Sequence, residues 1–364
     1  MAIGSPHLGC LGRFAKAHRA PSVTNSRWRR YVWRLPECSE RRQAHLSDGA
    51  VAVYTRGEMP ELPEVEGFRR RVEPLVVGAT IARLQVLDEK RWHPAAGLDE
   101  ASVGGAMVTA ISRVGKMLLV SLDRPVTLAL HLKIAGQLVH VRNDGTRILG
   151  GHPYPLAGAD LPDTATRVWM SFTNADTLFV NDQRRFCWVR MMHRRDVEGF
   201  VEGHGYGPDP IGPAFSAEVL AARLALRRGR PTKVALLDQT CVAGIGNIYA
   251  DESLYRARIH PRRLAGTLDL GEIRRLHEAI VGILAVAVPV GGALMMGNRR
   301  SAVTDPADAG RDFLQAHGCP GDPCAQCRDD GKGSGGAVPL IIREVVGGRG
   351  TYFCPECQKL PTAR

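Results

Sequence analysis

Residues 59–66 read Met-Pro-Glu-Leu-Pro-Glu-Val-Glu, with a proline directly after an internal methionine. If translation starts at Met59 and that residue is trimmed, Pro60 becomes a secondary amine. An α-amino group titrates near ~7.7–8.0, against ~10.4 for lysine, so far more of it is neutral at pH 7. Such an amine attacks an aldehyde-level carbon to give an iminium, an electron sink for later elimination. Glu61 is next door and Glu64 lies one helical turn further, so both carboxyl groups can sit near that nitrogen. Opening a sugar ring needs a general acid or base, and Glu61 is the candidate. The same residues also suit an ordinary helix start, with prolines in the first turn and glutamates on the N-terminal dipole.

A second constellation lies in Asp238-Gln-Thr-Cys-Val-Ala-Gly-Ile-Gly-Asn-Ile-Tyr-Ala-Asp251. Glycines at 244 and 246 let backbone N–H groups approach an anion, and the helix that follows adds its dipole. Asn247 can donate a further hydrogen bond, and Lys233 and Tyr249 are near enough in sequence to bind adjacent phosphates. A third constellation is Cys324-x-x-Cys327 with Cys354-x-x-Cys357, two knuckles supplying thiolates for one tetrahedral, structural Zn²⁺. Four thiolates leave no open position, which excludes a catalytic zinc there. The 26 residues between the knuckles include Arg328–Gly336, read as a flexible insertion. Cys319 breaks the pairing pattern.

These groups need a scaffold of several domains, which 364 residues can supply. Leu62, Val65, Phe68, Val72 and Leu75 recur at helical spacing, so a helix is predicted to about Val76, ended by Gly78. Short β-type runs follow at 81–86, 107–111, 117–122, 126–130, 137–141, 168–172, 177–181 and 186–190, predicting an antiparallel β-sandwich. The Gly/Pro run 203–213 is the expected linker. Helices are predicted at 216–228, 231–237, 248–258 and 270–288. The fold class is therefore α+β and multidomain. Its parts are a catalytic sandwich domain at 60–202, a helical domain at 214–318 and a zinc finger at 319–360.

A net charge of +11 favours a polyanionic partner. Nine cysteines with two close pairs argue for metal in a reducing compartment, not for disulfides. No secretory signal is visible. The uncharged stretch 280–297 contains Pro289 and Gly291-Gly292, and reads as a buried helix ending in a glycine loop, not a membrane span. Residues 1–58 are Arg-rich and aperiodic, and read as disordered or untranslated. Gly57-Glu58 requires a purine-rich codon pair ahead of Met59, like a bacterial ribosome-binding site; an organelle transit peptide is the rival reading.

From Pro60 onward the chain resembles the formamidopyrimidine-DNA glycosylase and endonuclease VIII family of base-excision-repair enzymes. Pro60–Glu66 is similar to the formamidopyrimidine branch, and Leu237–Ala250 to the family's helix–two-turn–helix. The resemblance implies a bifunctional glycosylase and abasic-site lyase acting on damaged double-stranded DNA, with oxidised purines as substrate and β,δ-elimination. Pro60 would be the nucleophile on C1′, Glu61 the acid at the sugar oxygen and Lys116 a phosphate ligand near the lesion. His131, Asn247, Lys233, Tyr249 and, at a hairpin tip, Arg349 would contact the DNA backbone. Arg184 and Phe186 would pair with the widowed base and wedge the stack. Ile134 stands where the family has a filling methionine, and 293–301 departs from the usual base-capping loop. A cytoplasmic, nucleoid-associated monomer is expected. An oxidised-pyrimidine glycosylase, a DNA-binding module with Pro60 left internal, and a zinc-bearing RNA-binding protein are the alternatives.

Overall fold

The computed structural model describes residues 59–153, 160–294, 314–332 and 337–360. The first helix, α1 (Leu62–Val76), carries Pro63 in its first turn, and Glu64 reaches back to accept the Glu61 backbone N–H at 2.9 Å. Its apolar stripe divides in two. Leu62 packs into a helical core, while Val65, Phe68, Val72 and Val76 enter the core of a sandwich. α1 thus bolts the two together and fixes Pro60 and Glu61 at their junction.

The sandwich has two five-stranded sheets. One orders β1 (Ile81–Val86), β8 (Thr166–Phe172), β9 (Thr177–Asp182), β6 (Gly136–Val141) and β7 (Arg147–Gly151). The other orders β2 (Trp92–Pro94), β10 (Trp188–His193), β5 (Val126–His131), β4 (Met117–Leu122) and β3 (Val108–Val114). The predicted strands are present, with bounds differing by a few residues. Pairing is antiparallel except for β2, which runs parallel to β10, a departure from the all-antiparallel expectation. The 3-residue β2 cannot form its own hairpin and docks on the sheet edge after a loop from β1.

A short helix α2 (Val197–Glu202) leads into the Gly/Pro run 203–213, which lies against the turn after the next helices: the Gly207 N–H donates to Gln239 and the Ala243 N–H to Pro208. The helical part holds α3 (Ala217–Ala225), α4 (Thr232–Leu237), α5 (Asn247–Ala257) and α6 (Leu270–Val290). α6 opens with a capping box from Asp269 and ends at Gly291 in the left-handed conformation, as its sequence predicts. Among the described residues no helix is long and apolar enough to cross a membrane.

The C-terminal part contains α7 (Ala325–Asp329) and the hairpin β11 (Ile342–Val346) and β12 (Arg349–Phe353). Arg328 and Asp329, expected in a flexible insertion, are the end of α7, whose first residue follows Cys324. Residues 333–336 of that insertion, 295–301 of the departing loop and the whole of 1–58 lie outside the described residues.

Candidate active site

Between α1, the β3–β4 turn, the 238–246 turn and the β11–β12 hairpin is a cleft of about 750 Å³. Local side chains build the 238–246 turn. The Asp238 carboxylate accepts the Thr240 N–H at 2.9 Å, and Gln239 bridges the Gly244 N–H and the Ile245 carbonyl at 2.9 and 2.7 Å. The N–H groups that open α5 do converge on an anion, and that anion is the protein's own Glu61. Its Oε2 accepts from Gly246 at 2.7 Å and from Tyr249 at 3.4 Å, and its Oε1 from Ile248 at 2.9 Å. A Cβ at residue 246 would stand 2.3 Å from the Glu61 Cδ, so only glycine allows this approach.

Glu61 is buried, and desolvation raises its pKa against the opposing Lys116 charge and the backbone N–H groups. Glu64 is fully buried behind it. The Tyr249 hydroxyl donates to its Oε1 at 3.0 Å, and the Leu294 N–H lies 3.4 Å from the same oxygen. At residue 292, φ is +87° and a Cβ would lie 2.1 Å from Glu64 Oε1, which again demands glycine.

Burial first, and the Glu61 charge second, push Glu64 up to about 7. The folded protein therefore binds an extra proton between its ordinary value of 4.5 and about 7. This carboxyl supports stability fully below that window, and the support is lost as pH rises through it. In melts across pH 4.5–8, wild type should lose stability relative to E64Q with rising pH; parallel curves would contradict the assignment.

Lys116, in the β3–β4 turn, is 7 % exposed and lines the cleft; burial lowers its pKa while Glu61 and Glu64 oppose the shift. Arg113 sets that turn, donating to the Gly115 carbonyl at 2.7 Å and pairing with Glu66 at 3.1 Å and Asp209 at 2.5 Å. His131 also lines the cleft. Burial, with help from Lys133 and Lys116, pushes it down to about 3, so it is neutral at pH 7. Its Nδ1 accepts the Lys133 N–H at 2.9 Å, which assigns the ring proton to Nε2, a donor. Asn247 and Arg349 are on the wall as expected, with Arg349 beginning β12 directly after the Gly347-Gly348 turn. Pro60 is buried beside Glu61, and Met59 lines the cleft.

Two expected phosphate ligands face elsewhere. Lys233 is 0 % exposed: its Nζ pairs with Asp251 at 2.7 Å and donates to the Gly350 carbonyl and Thr351 Oγ1 at 2.9 and 2.8 Å. All of its donors have partners inside the protein, where it braces the hairpin. Tyr249 is also 0 % exposed, and its hydroxyl, besides holding Glu64, accepts the Ala293 N–H at 3.0 Å. Arg184 and Phe186 stand apart from the cleft on the β9–β10 loop, with the guanidinium 5.2 Å from the ring centre. Ile134 is half-buried and off the cleft; its neighbour Lys133, at φ 54°, lines it. Sequence reasoning also missed Tyr206, Gln239, His317, Arg343 and Tyr352 as lining residues. His317 Nδ1 lies 2.8 Å from Asp251 Oδ2, which ties it to the Lys233 network. Its partner is 66 residues away, and no local spacing signals the pair.

The four cysteine sulfurs of Cys324, Cys327, Cys354 and Cys357 lie within 4.8 Å of one another. Cys324–Cys357 and Cys327–Cys354 are each separated by 3.7 Å. Sulfurs at ~2.3 Å from a tetrahedral zinc would be roughly 3.8 Å apart, so the residues fit one structural Zn²⁺. Cys319 lies outside the cluster, with its sulfur directed at the His317 and Leu314 carbonyls.

Comparison with known proteins gives matches along most of the chain. A model of the formamidopyrimidine-DNA glycosylase N-terminal domain matches residues 59–189, and one of the formamidopyrimidine-DNA glycosylase H2TH domain matches 206–297. A model of the zinc finger found in FPG and IleRS matches 340–360, which includes only the second cysteine pair. Formamidopyrimidine-DNA glycosylases from Exiguobacterium sibiricum and Geobacillus kaustophilus are each 37 % identical, over 308 and 310 residues; each match covers 83 % of this chain and 99 or 100 % of the relative. Among solved structures, Lactococcus lactis Fpg (MutM) with DNA containing an oxidised pyrimidine is 28 % identical with a TM-score of 0.67, covering 83 % of this chain and 100 % of that one. The same protein with FAPY-dG-containing DNA also gives 28 % and 0.67, covering 82 % of this chain and 100 % of that one.

Proposed function

Because this chain belongs to the formamidopyrimidine-DNA glycosylase family, we propose that it is a bifunctional glycosylase and abasic-site lyase that removes oxidised purines, 8-oxoguanine and formamidopyrimidine, from duplex DNA. The active form begins at Pro60. Its neutral amine attacks C1′ of the flipped nucleotide, and the glycosidic bond breaks as the base leaves with a proton. Glu61 protonates the sugar ring oxygen, the ring opens, and the Pro60 nitrogen becomes an iminium. That electron sink acidifies C2′, whose proton leaves as the 3′-phosphate is expelled; a second elimination releases the 5′-phosphate. Lys116, His131 through Nε2–H, Asn247 and Arg349 hold backbone phosphates, and Arg184 and Phe186 fill the gap left in the duplex. Cys324, Cys327, Cys354 and Cys357 hold the zinc, which supplies no chemistry and keeps the hairpin bearing Arg349 in place.

The observation that carries this reading is the Glu61 carboxyl, clamped by the N–H groups at the start of α5, in one cleft with Lys116 and next in sequence to the buried Pro60. The match of the N-terminal family model from residue 59 supports the start at Met59. The named relatives are bacterial, which fits a cytoplasmic enzyme working at the nucleoid. An oxidised-pyrimidine preference is the second reading, since one neighbour was solved with such a lesion.

Single-turnover excision on duplexes carrying 8-oxoguanine, formamidopyrimidine or an oxidised pyrimidine decides between them. The purine lesions should react faster by about tenfold or more, the lower end of what differing pocket contacts give between substrates. Faster pyrimidine release would overturn the substrate assignment.

A further inference from the structure

The β9–β10 loop presents a chain of exposed residues, Gln183 to Phe186, with Phe186 itself 44 % exposed. Such a loop has no apolar packing to hold its shape, yet driving a ring into a base stack needs a fixed one. The shape comes from a single buried carboxylate. Asp182, the last residue of β9, is 0 % exposed. Its Oδ1 accepts the N–H groups of Arg184 and Arg185 at 2.9 and 3.1 Å. Its Oδ2 accepts those of Phe186 and Cys187 at 2.8 and 2.6 Å. One side chain thus gathers four consecutive N–H groups around itself and turns the side chains between them outward. Arg185 adds a second tether: it takes the left-handed conformation at φ 58° and pairs with Asp88 at 2.8 Å. Asp88 is buried and also lies 3.7 Å from Arg167.

We propose that Asp182, backed by the Asp88–Arg185 pair, is the positioning residue that pre-organises Arg184 and Phe186 to enter the duplex. This rests on the wedge reading of those two residues. Asparagine at 182 keeps the size but turns an NH₂ toward two N–H donors, so the loop would be held by one oxygen in place of two.

The test compares two substrates for wild type, F186A, D182N and R185A. One is a fully paired duplex with 8-oxoguanine opposite cytosine. The other is an abasic sugar in a one-nucleotide bulge, where no opposite base has to be parted. Rates are normalised to the fraction of protein that borohydride can trap, so that unfolded molecules do not count. Parting a stacked pair opposes extrusion of the lesion, so F186A and D182N should each slow the paired duplex by about tenfold or more and the bulge by less than about threefold. R185A should show the same split to a smaller degree, and it remains informative if D182N fails to fold. If F186A shows the split while D182N or, failing its folding, R185A slows both substrates alike or neither, the positioning role is overturned. If F186A itself shows no split, the wedge reading fails first.

Discussion

Protein that retains Met59 ahead of Pro60 should bind lesion-bearing duplex DNA but cut none of it. In that form the Pro60 nitrogen is an amide, its lone pair delocalised into the Met59 carbonyl, and it cannot form an iminium. Met59 also lines the cleft, where it occupies space next to Glu61 and Lys116. The loss in rate should be ~10⁴-fold or more, the scale seen when a nucleophile working in concert with other groups is removed. Affinity should change only within a factor of a few, because Lys116, His131, Asn247 and Arg349 are untouched. Gel-shift titration beside a single-turnover cleavage assay, on the 364-residue chain and on a chain trimmed to Pro60, checks both halves of this expectation. Cleavage by the Met59-bearing form, with its N-terminus verified by intact mass, would be contrary to it.

The second large effect is expected from the cysteine cluster. Replacing Cys327 with alanine should melt the C-terminal part and abolish specific DNA binding. Its apolar cluster is small, built on Tyr255, Ala316 and Ile341 around the cysteines, and a lone two-stranded hairpin is marginal in water. Metal binding in such a site is folding energy, on the order of 10–16 kcal/mol in small zinc modules. The damage reaches the cleft because the hairpin carries Arg349, and because the Gly350 carbonyl accepts from both Lys233 and Asn247, at 2.9 and 3.0 Å. Lys233 and Asp251 would then lose the enclosure that now buries them. Zinc content, thermal melts and affinity for a lesion duplex, with wild type under strong chelation in parallel, measure this. A C327A protein that keeps full affinity would show that the cluster is dispensable.

Helical spacing was enough to read α1 and α6, and β-type runs bounded by turn residues were enough to read most of the sandwich strands, although β4, β5, β6 and β9 are buried along nearly their whole length and show no alternation. β2 and β7 escaped it for physical reasons. Trp92-His-Pro is held by a parallel neighbour from far along the chain, and Arg147–Gly151 ends in a glycine pair that carries no alternation. Within the site, the sequence identified an anion-binding turn correctly and its occupant wrongly. The glycines at 244 and 246 shape a nest whose nearest tenant is Glu61, some 185 residues earlier. Lys233 and Tyr249 were misread for a related reason. Their spacing puts them near the turn, but burial decides which way a long polar side chain points, and their partners Thr351 and Glu64 come from distant segments. The knuckle spacing, by contrast, identified the metal site because its chemistry is local within each pair.

At the centre of this account is a covalent bond between the Pro60 nitrogen and C1′ of a deoxyribose. The direct measurement is to react the Pro60-terminated protein with 8-oxoguanine duplex in borohydride, digest the reduced complex and sequence the cross-linked peptide by mass spectrometry. The remnant of the sugar should sit on the α-nitrogen of the peptide that begins Pro60-Glu61-Leu62. A remnant on Lys116 or another lysine, or no adduct from protein shown to be folded and DNA-bound, would contradict it.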